Sequence, residues 1–201
     1  VLDVKELLFS ATLTNDAVTK EEIYNKAVEL HNDWRGHNNI ACMHIANGDL
    51  NTAMVYLNKA VSISSENSDI STNKGIIAAR IGELVNAQVL FDKANTSELN
   101  QAILDIRQAK YKKAARFFKN GKSHNAVLAH VLNGKNSTCN EETAACHYLN
   151  AISNARSSNN DAAISSLTKA INTDSSYKSE AIKDLEFINL RTNETFIALT
   201  K

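Results

Sequence analysis

The sequence predicts an all-α fold made of antiparallel helix pairs, and three observations lead to this prediction. The 201 residues include no proline and only six glycines, a composition that permits uninterrupted helices. Apolar residues recur at the spacing of a buried helical stripe, as in Ile40, Ala41, His44 and Ile45. A helix–turn–helix pattern also returns every 33–34 residues. Units of this kind bury their apolar faces by stacking on one another.

The most complete unit covers residues 39–60, where two amphipathic helices flank a turn at Gly48. Its second helix carries Ala53, Leu57 and Ala60, and the same pattern follows one period later as Ala87, Phe91 and Ala94 after Gly82. These marks resemble the tetratricopeptide repeat (TPR) family. The resemblance implies a right-handed superhelix whose concave face holds a segment of a partner protein.

The repeat pattern divides a single predicted domain, residues 1–201, into successive units. Their approximate bounds are 1–33, 34–67, 68–94 and 95–121, a degenerate unit at 122–143, a unit at 144–175, and capping helices at 176–201.

Helix signals place the elements within these units. The first unit begins with a helix over 3–13, and Thr19 with Glu22 predicts a capping box for a helix over 20–31. Later helices are predicted at about 98–108, 111–118, 123–134, 144–157 and 161–172. The polar stretch 135–143 is too short for a full partner helix and predicts an eroded one or a loop. The tail predicts one amphipathic helix to about Leu190 and a short one capped near Asn193.

A narrower resemblance is carried by CHYLNAISNAR, the helix after it, AIKDLEF and the N-terminal EEIYNKAVELHNDWRGHNNIACMHIANGDL. These stretches are similar to the C-terminal TPR module of larger bacterial cell-envelope proteins. The resemblance implies a bacterial source and a periplasmic or outer-membrane-associated location, with a cytoplasmic location as the alternative. Since the chain starts at Val1 without Met, we expect a processed product or an excised fragment that lacks an N-terminal region.

Charge and motifs argue against several function classes. Lys+Arg and Asp+Glu both number 22, whereas nucleic-acid binding requires concentrated positive charge. No apolar run reaches the roughly 18–20 residues of a membrane span. No Gly-rich phosphate loop, HExxH motif or zinc spacing occurs, so the sequence predicts no enzyme, cofactor or metal site. His37 and His44, seven residues apart, are interpreted as packed rings.

Cys139 and Cys146 lie seven residues apart around the eroded segment. In a periplasmic protein they are candidates for a short-loop disulfide, whereas in a reducing cytosol they would stay free. Cys42 has no evident partner in the sequence.

The best functional candidate is the concave face lined by the first helix of each unit. Arg80, Arg107 and Arg156 fall late in three first helices, which suggests a basic ladder suited to carboxylates of an acidic peptide. The alternative is that each arginine caps its own helix. The other predicted residues of this face are Asn38, Thr72, Ile76, Ile103, Ile106, Tyr148 and Ile152.

The sequence therefore predicts a non-enzymatic module that binds a protein or peptide. The alternative is a structural spacer that stacks on a missing N-terminal region and positions it. An exposed apolar patch at Leu2, Leu7, Leu8 and Phe9 would favour the spacer.

Overall fold

The computed structural model describes residues 2–201, and Val1, which belongs to the predicted first unit, lies outside the described residues. Within that range the chain forms thirteen α-helices and one 3₁₀ helix, with no β-strand. The all-α prediction is confirmed. The helices are α1 (Val4–Thr12), α2 (Ala17–His31), α3 (Trp34–Asn47), α4 (Leu50–Ile63), α5 (Ser68–Arg80), α6 (Leu84–Ala94), α7 (Glu98–Arg107), α8 (Tyr111–Phe118), α9 (His124–Leu132), α10 (Ala144–Arg156), α11 (Asn160–Thr173), α12 (Tyr177–Lys183), the 3₁₀ helix Leu185–Leu190, and α13 (Glu194–Thr200).

The chain divides into two compact units, the first ending at Arg107 and the second running from Gln108 to Lys201. In the first unit, α1 pairs with α2, α3 with α4 and α5 with α6, and α7 packs against α5 and α6. In the second unit, α9 packs between α8 and α10, and α10 pairs with α11. The helices α12 and α13 pack on α11. The predicted fourth repeat, residues 95–121, spans the boundary between the units.

The helix pair α3–α4 shows how a repeat is built. Ala41 on α3 and Ala53 and Ala60 on α4 are fully buried, so the two backbones approach closely. Gly48 ends α3 in the left-handed region with a φ of 82°, which glycine adopts without a steric penalty. Asp49 then begins α4 by accepting the Thr52 N–H. The predicted helix–turn–helix is confirmed.

The predicted capping box at Thr19 and Glu22 is wrong. The helix α2 begins almost a turn earlier, at Ala17, because the Asp16 carboxylate accepts the Thr19 N–H at 2.7 Å. Thr19 is therefore the third residue of the helix. A capping box forms instead on α1, where Asp3 and Glu6 each accept the other's backbone N–H.

The predicted single helix reaching Leu190 is also wrong. The helix α12 ends at Lys183, and extended backbone at Asp184 separates it from the 3₁₀ helix. One Asp184 carboxylate oxygen accepts the Glu186 N–H at 2.9 Å, and the other accepts the Tyr148 hydroxyl at 3.0 Å. The side chain therefore starts a new helix and ties it to α10. The short helix capped by Asn193 is confirmed as α13.

Candidate functional site

A groove of about 300 Å³ lies between α5 and α7 in the first compact unit. It contains four of the predicted concave-face residues, namely Ile76 and Arg80 on α5 and Ile103 and Arg107 on α7. Each pair is four residues apart, which places its two side chains one above the other on the same helix face. The groove therefore lies mainly between α5 and α7, with Phe91 of α6 at its base.

The floor of the groove is apolar. Phe91 of α6 and Leu104 of α7 line it, and both are buried in the core of the unit. The Phe91 ring packs directly over Gly75 of α5, where a Cβ atom would come within 2.5 Å of two ring carbons. Gly75 thus allows the Phe91 ring to pack against the α5 backbone, because the side chain of any larger residue would displace the ring.

Arg80 and Arg107 flank the floor, and they link α5 to α3 and α7 to α5. The Arg80 Nη1 donates to the Ile45 carbonyl in the last turn of α3, at 2.5 Å. The Arg107 Nη1 donates to the Ala79 carbonyl in the last turn of α5, at 3.3 Å. The acceptor is on the neighbouring helix in both cases, so these bonds do not cap the arginine's own helix.

These bonds leave much of each guanidinium available. Both arginines are exposed, and among residues 2–201 neither Nε nor Nη2 of either side chain has a hydrogen-bond partner. Nε and Nη2 form one edge of the planar group, the edge that receives a carboxylate through two parallel hydrogen bonds. The groove thus combines an apolar floor with two positioned cations.

Arg156 repeats this arrangement in the second unit but has less of its guanidinium free. Its Nη1 donates to the Val131 carbonyl at the end of α9, at 2.7 Å. Its Nε and Nη2 both bind the Glu186 carboxylate, which lowers the pKa of Glu186 and raises the pKa of Arg156. The guanidinium edge that is free in Arg80 and Arg107 is therefore occupied in Arg156 by the Glu186 carboxylate.

The remaining predicted face residues do not line the α5–α7 groove. Asn38 is buried and accepts the Asn73 amide at 2.9 Å, and Thr72 donates to the Thr96 hydroxyl at 3.4 Å. Ile106 is half-buried, and Ile152 packs against two apolar clusters of the second unit. Burial raises the pKa of Tyr148, whose hydroxyl donates to Asp184.

Sequence reasoning missed the floor of the groove and Asn100, which also lines it. Phe91 and Leu104 follow the buried helical stripe, so the pattern indicates core residues rather than a surface. Asn100 donates to the Thr96 hydroxyl at 3.0 Å near the start of α7. No sequence pattern signals this position, since asparagine is common at helix ends throughout the chain.

In the second unit, the segment after α9 lacks regular structure, as predicted, and is held against α10. Cys139 and Cys146 are paired as a disulfide with their Cα atoms 5.5 Å apart. The Asn150 amide accepts the Cys139 N–H at 2.7 Å and donates to the Cys139 carbonyl at 3.0 Å. Ser153 accepts the Ser137 N–H at 3.1 Å. One face of α10 therefore supplies hydrogen-bond partners for the backbone of this irregular segment, which has no second helix to pair with.

The other candidate chemical groups have structural contacts. His37 and His44 both pack against the Tyr56 ring, with centroids 5.9 and 5.7 Å away. The Glu141 carboxylate lies within 4.8 Å of the sulfurs of Cys139 and Cys146. Sulfurs joined in a disulfide are not thiolate ligands, so this trio does not form a metal site in the paired state.

Comparison with known proteins adds one match. Residues 35–67 match the tetratricopeptide repeat family, over the stretch that the sequence predicts as the second unit. No curated protein matches the chain. In the part of the chain that the structure describes, no helix has the length and apolar character needed to cross a membrane.

Proposed function

Residues 35–67 form a tetratricopeptide repeat, and we propose that the chain is a non-enzymatic module that binds a segment of another protein in the α5–α7 groove. Repeat families of this kind commonly use stacked helix pairs as protein-binding surfaces. The groove is the best candidate in the first unit because it unites four predicted face residues in one cavity.

The observation that carries the proposal is the free edge of Arg80 and Arg107 above an apolar floor. The complementary ligand is a peptide with an apolar side chain for Phe91 and Leu104 and a carboxylate for the guanidinium groups. Because the arginines are already held by backbone carbonyls, little side-chain entropy is lost when the carboxylate arrives.

We further propose a cell-envelope location for this module, with the cytoplasm as the alternative. The proposal is supported by the sequence resemblance and by the Cys139–Cys146 pair, since disulfides persist in oxidising compartments. Determination of the free-thiol content of protein extracted from its native cells under alkylating conditions tests it. One reactive thiol per chain, from Cys42, supports the proposal, and three contradict it.

A structural spacer is the second candidate function, and the exposed residues of α1 favour it. Phe9 is 65% exposed, and Leu2 and Leu13 on either side of it are 52% and 71% exposed. Leu7, however, is buried and Leu8 packs into the core, so only part of the predicted patch faces outward. A Phe9→Ser variant that loses a partner while groove variants retain it would favour the spacer.

Selection from a random peptide library tests the binding proposal, because it presents many candidate segments to the groove at once. The library is panned against the wild-type chain and counter-selected against an Arg80→Gln/Arg107→Gln double variant. We expect enriched peptides to pair an apolar residue with Asp, Glu or a free C-terminus. Enrichment of peptides that bind both proteins equally would contradict the groove as the site.

A further inference from the structure

The second compact unit contains a concentration of positive charge that the neutral overall composition conceals. Residues 108–140 include no Asp or Glu, and they carry seven of the 22 Lys and Arg residues of the chain. These are Lys110, Lys112, Lys113, Arg116, Lys119, Lys122 and Lys135. A local excess of this kind attracts anions regardless of the net charge of the whole chain.

The fold gathers much of this charge around one cleft between α8 and the C-terminal end of α9. The cleft has a volume of about 400 Å³ and is lined by Lys112, Arg116, Lys119 and Lys135 around the ring of His130. A second cavity of about 240 Å³ shares Lys119, His130 and Lys135 and adds Lys122. Five cationic side chains therefore surround one concave region.

These cations are not neutralised by the chain. Among residues 2–201, none of Lys112, Arg116, Lys119, Lys122 and Lys135 forms an ion pair with a carboxylate. Glu141, the next acidic residue along the chain, accepts the backbone N–H of His124 instead. Cations that line the same cavity repel one another, and a bound anion would reduce that repulsion.

His130 provides an independent indication of a ligand. Its side chain lines both cavities and is 8% exposed, and both ring nitrogens are shielded from solvent. Neither nitrogen has a hydrogen-bond partner among the described residues. Buried polar atoms normally have a partner, so an unpaired imidazole beside a cationic cleft is consistent with an acceptor that arrives from outside the chain.

Lys119 is held at the cleft in an unfavourable backbone conformation. Its φ of 45° and ψ of −110° lie in a region that favours glycine, yet a lysine occupies the position. The Lys119 N–H donates to the Ala115 carbonyl at 3.0 Å, which fixes the turn. The turn thereby directs one lysine to the junction of the two cavities.

We infer that this cleft binds a compact oxyanion of the phosphate type, either free or as the phosphoryl group of a small molecule. Phosphate oxygens accept hydrogen bonds from guanidinium, ammonium and imidazole groups, which are the donors gathered here. The concave shape matches a compact anion better than an extended polyanion, which would need a longer basic track. The inference does not depend on the proposed peptide groove, whose residues all belong to the first unit.

Titration with pyrophosphate and with inorganic phosphate, at constant ionic strength set with chloride, tests the inference. Amide chemical shifts of the ¹⁵N-labelled full chain report the location, and calorimetry reports the affinity. We expect saturable shifts confined to residues 112–135. We also expect the Arg116→Gln/Lys135→Gln double variant to bind pyrophosphate at least tenfold more weakly.

A matched variant separates this site from general charge effects. Lys169→Gln removes an exposed lysine of α11 in the same unit and should leave the affinity unchanged. His130→Phe keeps an aromatic ring but removes both nitrogens, and it should weaken binding while the helical circular-dichroism spectrum is retained. Retained affinity in His130→Phe would contradict the role of the imidazole.

Three further results would overturn the inference. They are the absence of saturable binding, an equal loss of affinity in Lys169→Gln, and shifts distributed over exposed lysines of the whole chain. Vesicles of phosphatidylcholine with phosphatidylglycerol and a single-stranded RNA oligomer serve as competing probes. Tight binding of either of these without binding of pyrophosphate would also contradict a compact-oxyanion site.

Discussion

Arg80, Arg107 and Arg156 share a structural role in the last turns of α5, α7 and α10. Each donates from Nη1 to a carbonyl in the last turn of an earlier helix, which is α3, α5 or α9. Each of these carbonyls also accepts the N–H of a glycine (Gly48, Gly82 or Gly134), and the partial negative charge of a helix C-terminus makes a second, charged donor favourable. The arginines therefore join neighbouring helices, and in the first compact unit Arg80 and Arg107 keep a free guanidinium edge.

Replacement of Arg80 by methionine should weaken the stack. The Ile45 carbonyl loses a charge-assisted partner, and we expect the free energy of unfolding to fall by about 1–2 kcal/mol in urea denaturation. Lys26→Met serves as the control, since the Lys26 side chain is exposed and donates to no carbonyl among the described residues. An equal loss in both variants would show that Arg80 stabilises through general charge effects alone.

Gly75 is the residue on which the floor of the groove depends. In Gly75→Ala the new methyl group would overlap the Phe91 ring, and we expect a loss of about 1–3 kcal/mol from overpacking. Thermal unfolding followed by circular dichroism measures this, with Ser71→Ala on the same helix as the control. A Gly75→Ala protein as stable as the wild type would mean that the ring moves aside freely.

At the scale of elements, α10 takes the place of a missing helix by binding the segment that follows α9. Asn150 satisfies both the N–H and the carbonyl of Cys139, and the disulfide fixes the same residue covalently. An irregular segment is thereby kept packed without secondary structure of its own.

The Asn150→Ala variant tests this element. It leaves two buried backbone groups of Cys139 unpaired, so we expect the hydrogen-exchange protection of the Cys139 amide to fall at least tenfold. The matched control is Asn154→Ala, one turn later on α10, because the Asn154 amide donates only within its own helix. Unchanged protection of the Cys139 amide in Asn150→Ala would contradict this role.

The limits of sequence prediction are clearest at individual caps and at the groove. The helix pairs follow from periodicity, and Ala41, Ala53 and Ala60 are buried as predicted. The predicted start of α2 is wrong because Asp16 and Thr19 both suit a cap, and only the observed bond from the Thr19 N–H to Asp16 decides between them. The acceptors of the arginines lie 25–35 residues away, a distance over which local pattern carries no information.

At the scale of the whole molecule, carboxyl groups at helix starts and ion pairs make stability depend on pH. Hydrogen bonds from Glu6, Thr19 and Thr52 lower the pKa values of Asp3, Asp16 and Asp49, and the Arg156 guanidinium lowers the pKa of Glu186. A carboxyl whose pKa is lower in the folded state adds stability above its unfolded pKa. That stability is lost as the pH falls through the folded pKa.

Burial lowers the pKa of the His37 imidazole, so we expect the free energy of unfolding to start declining as the pH falls through about 6.5, and to decline further below about 4, where unperturbed carboxyls titrate. Urea denaturation at a series of pH values measures the decline. Glu186→Gln should show a shallower decline than the wild type, because one of the contributing groups no longer titrates. A stability that rises on acidification would contradict the assigned directions.

We propose that the α5–α7 groove binds a carboxylate-bearing peptide. Amide chemical-shift mapping of the full chain is the most direct test of this binding site. A library-selected peptide is added to the ¹⁵N-labelled protein, with the C-terminally amidated or Asn/Gln-substituted peptide as its matched control. We expect saturable shifts in α5, α6 and α7, and an affinity at least tenfold weaker in Arg80→Gln/Arg107→Gln. Saturable shifts confined to other helices, with the double variant binding as tightly as the wild type, would contradict it.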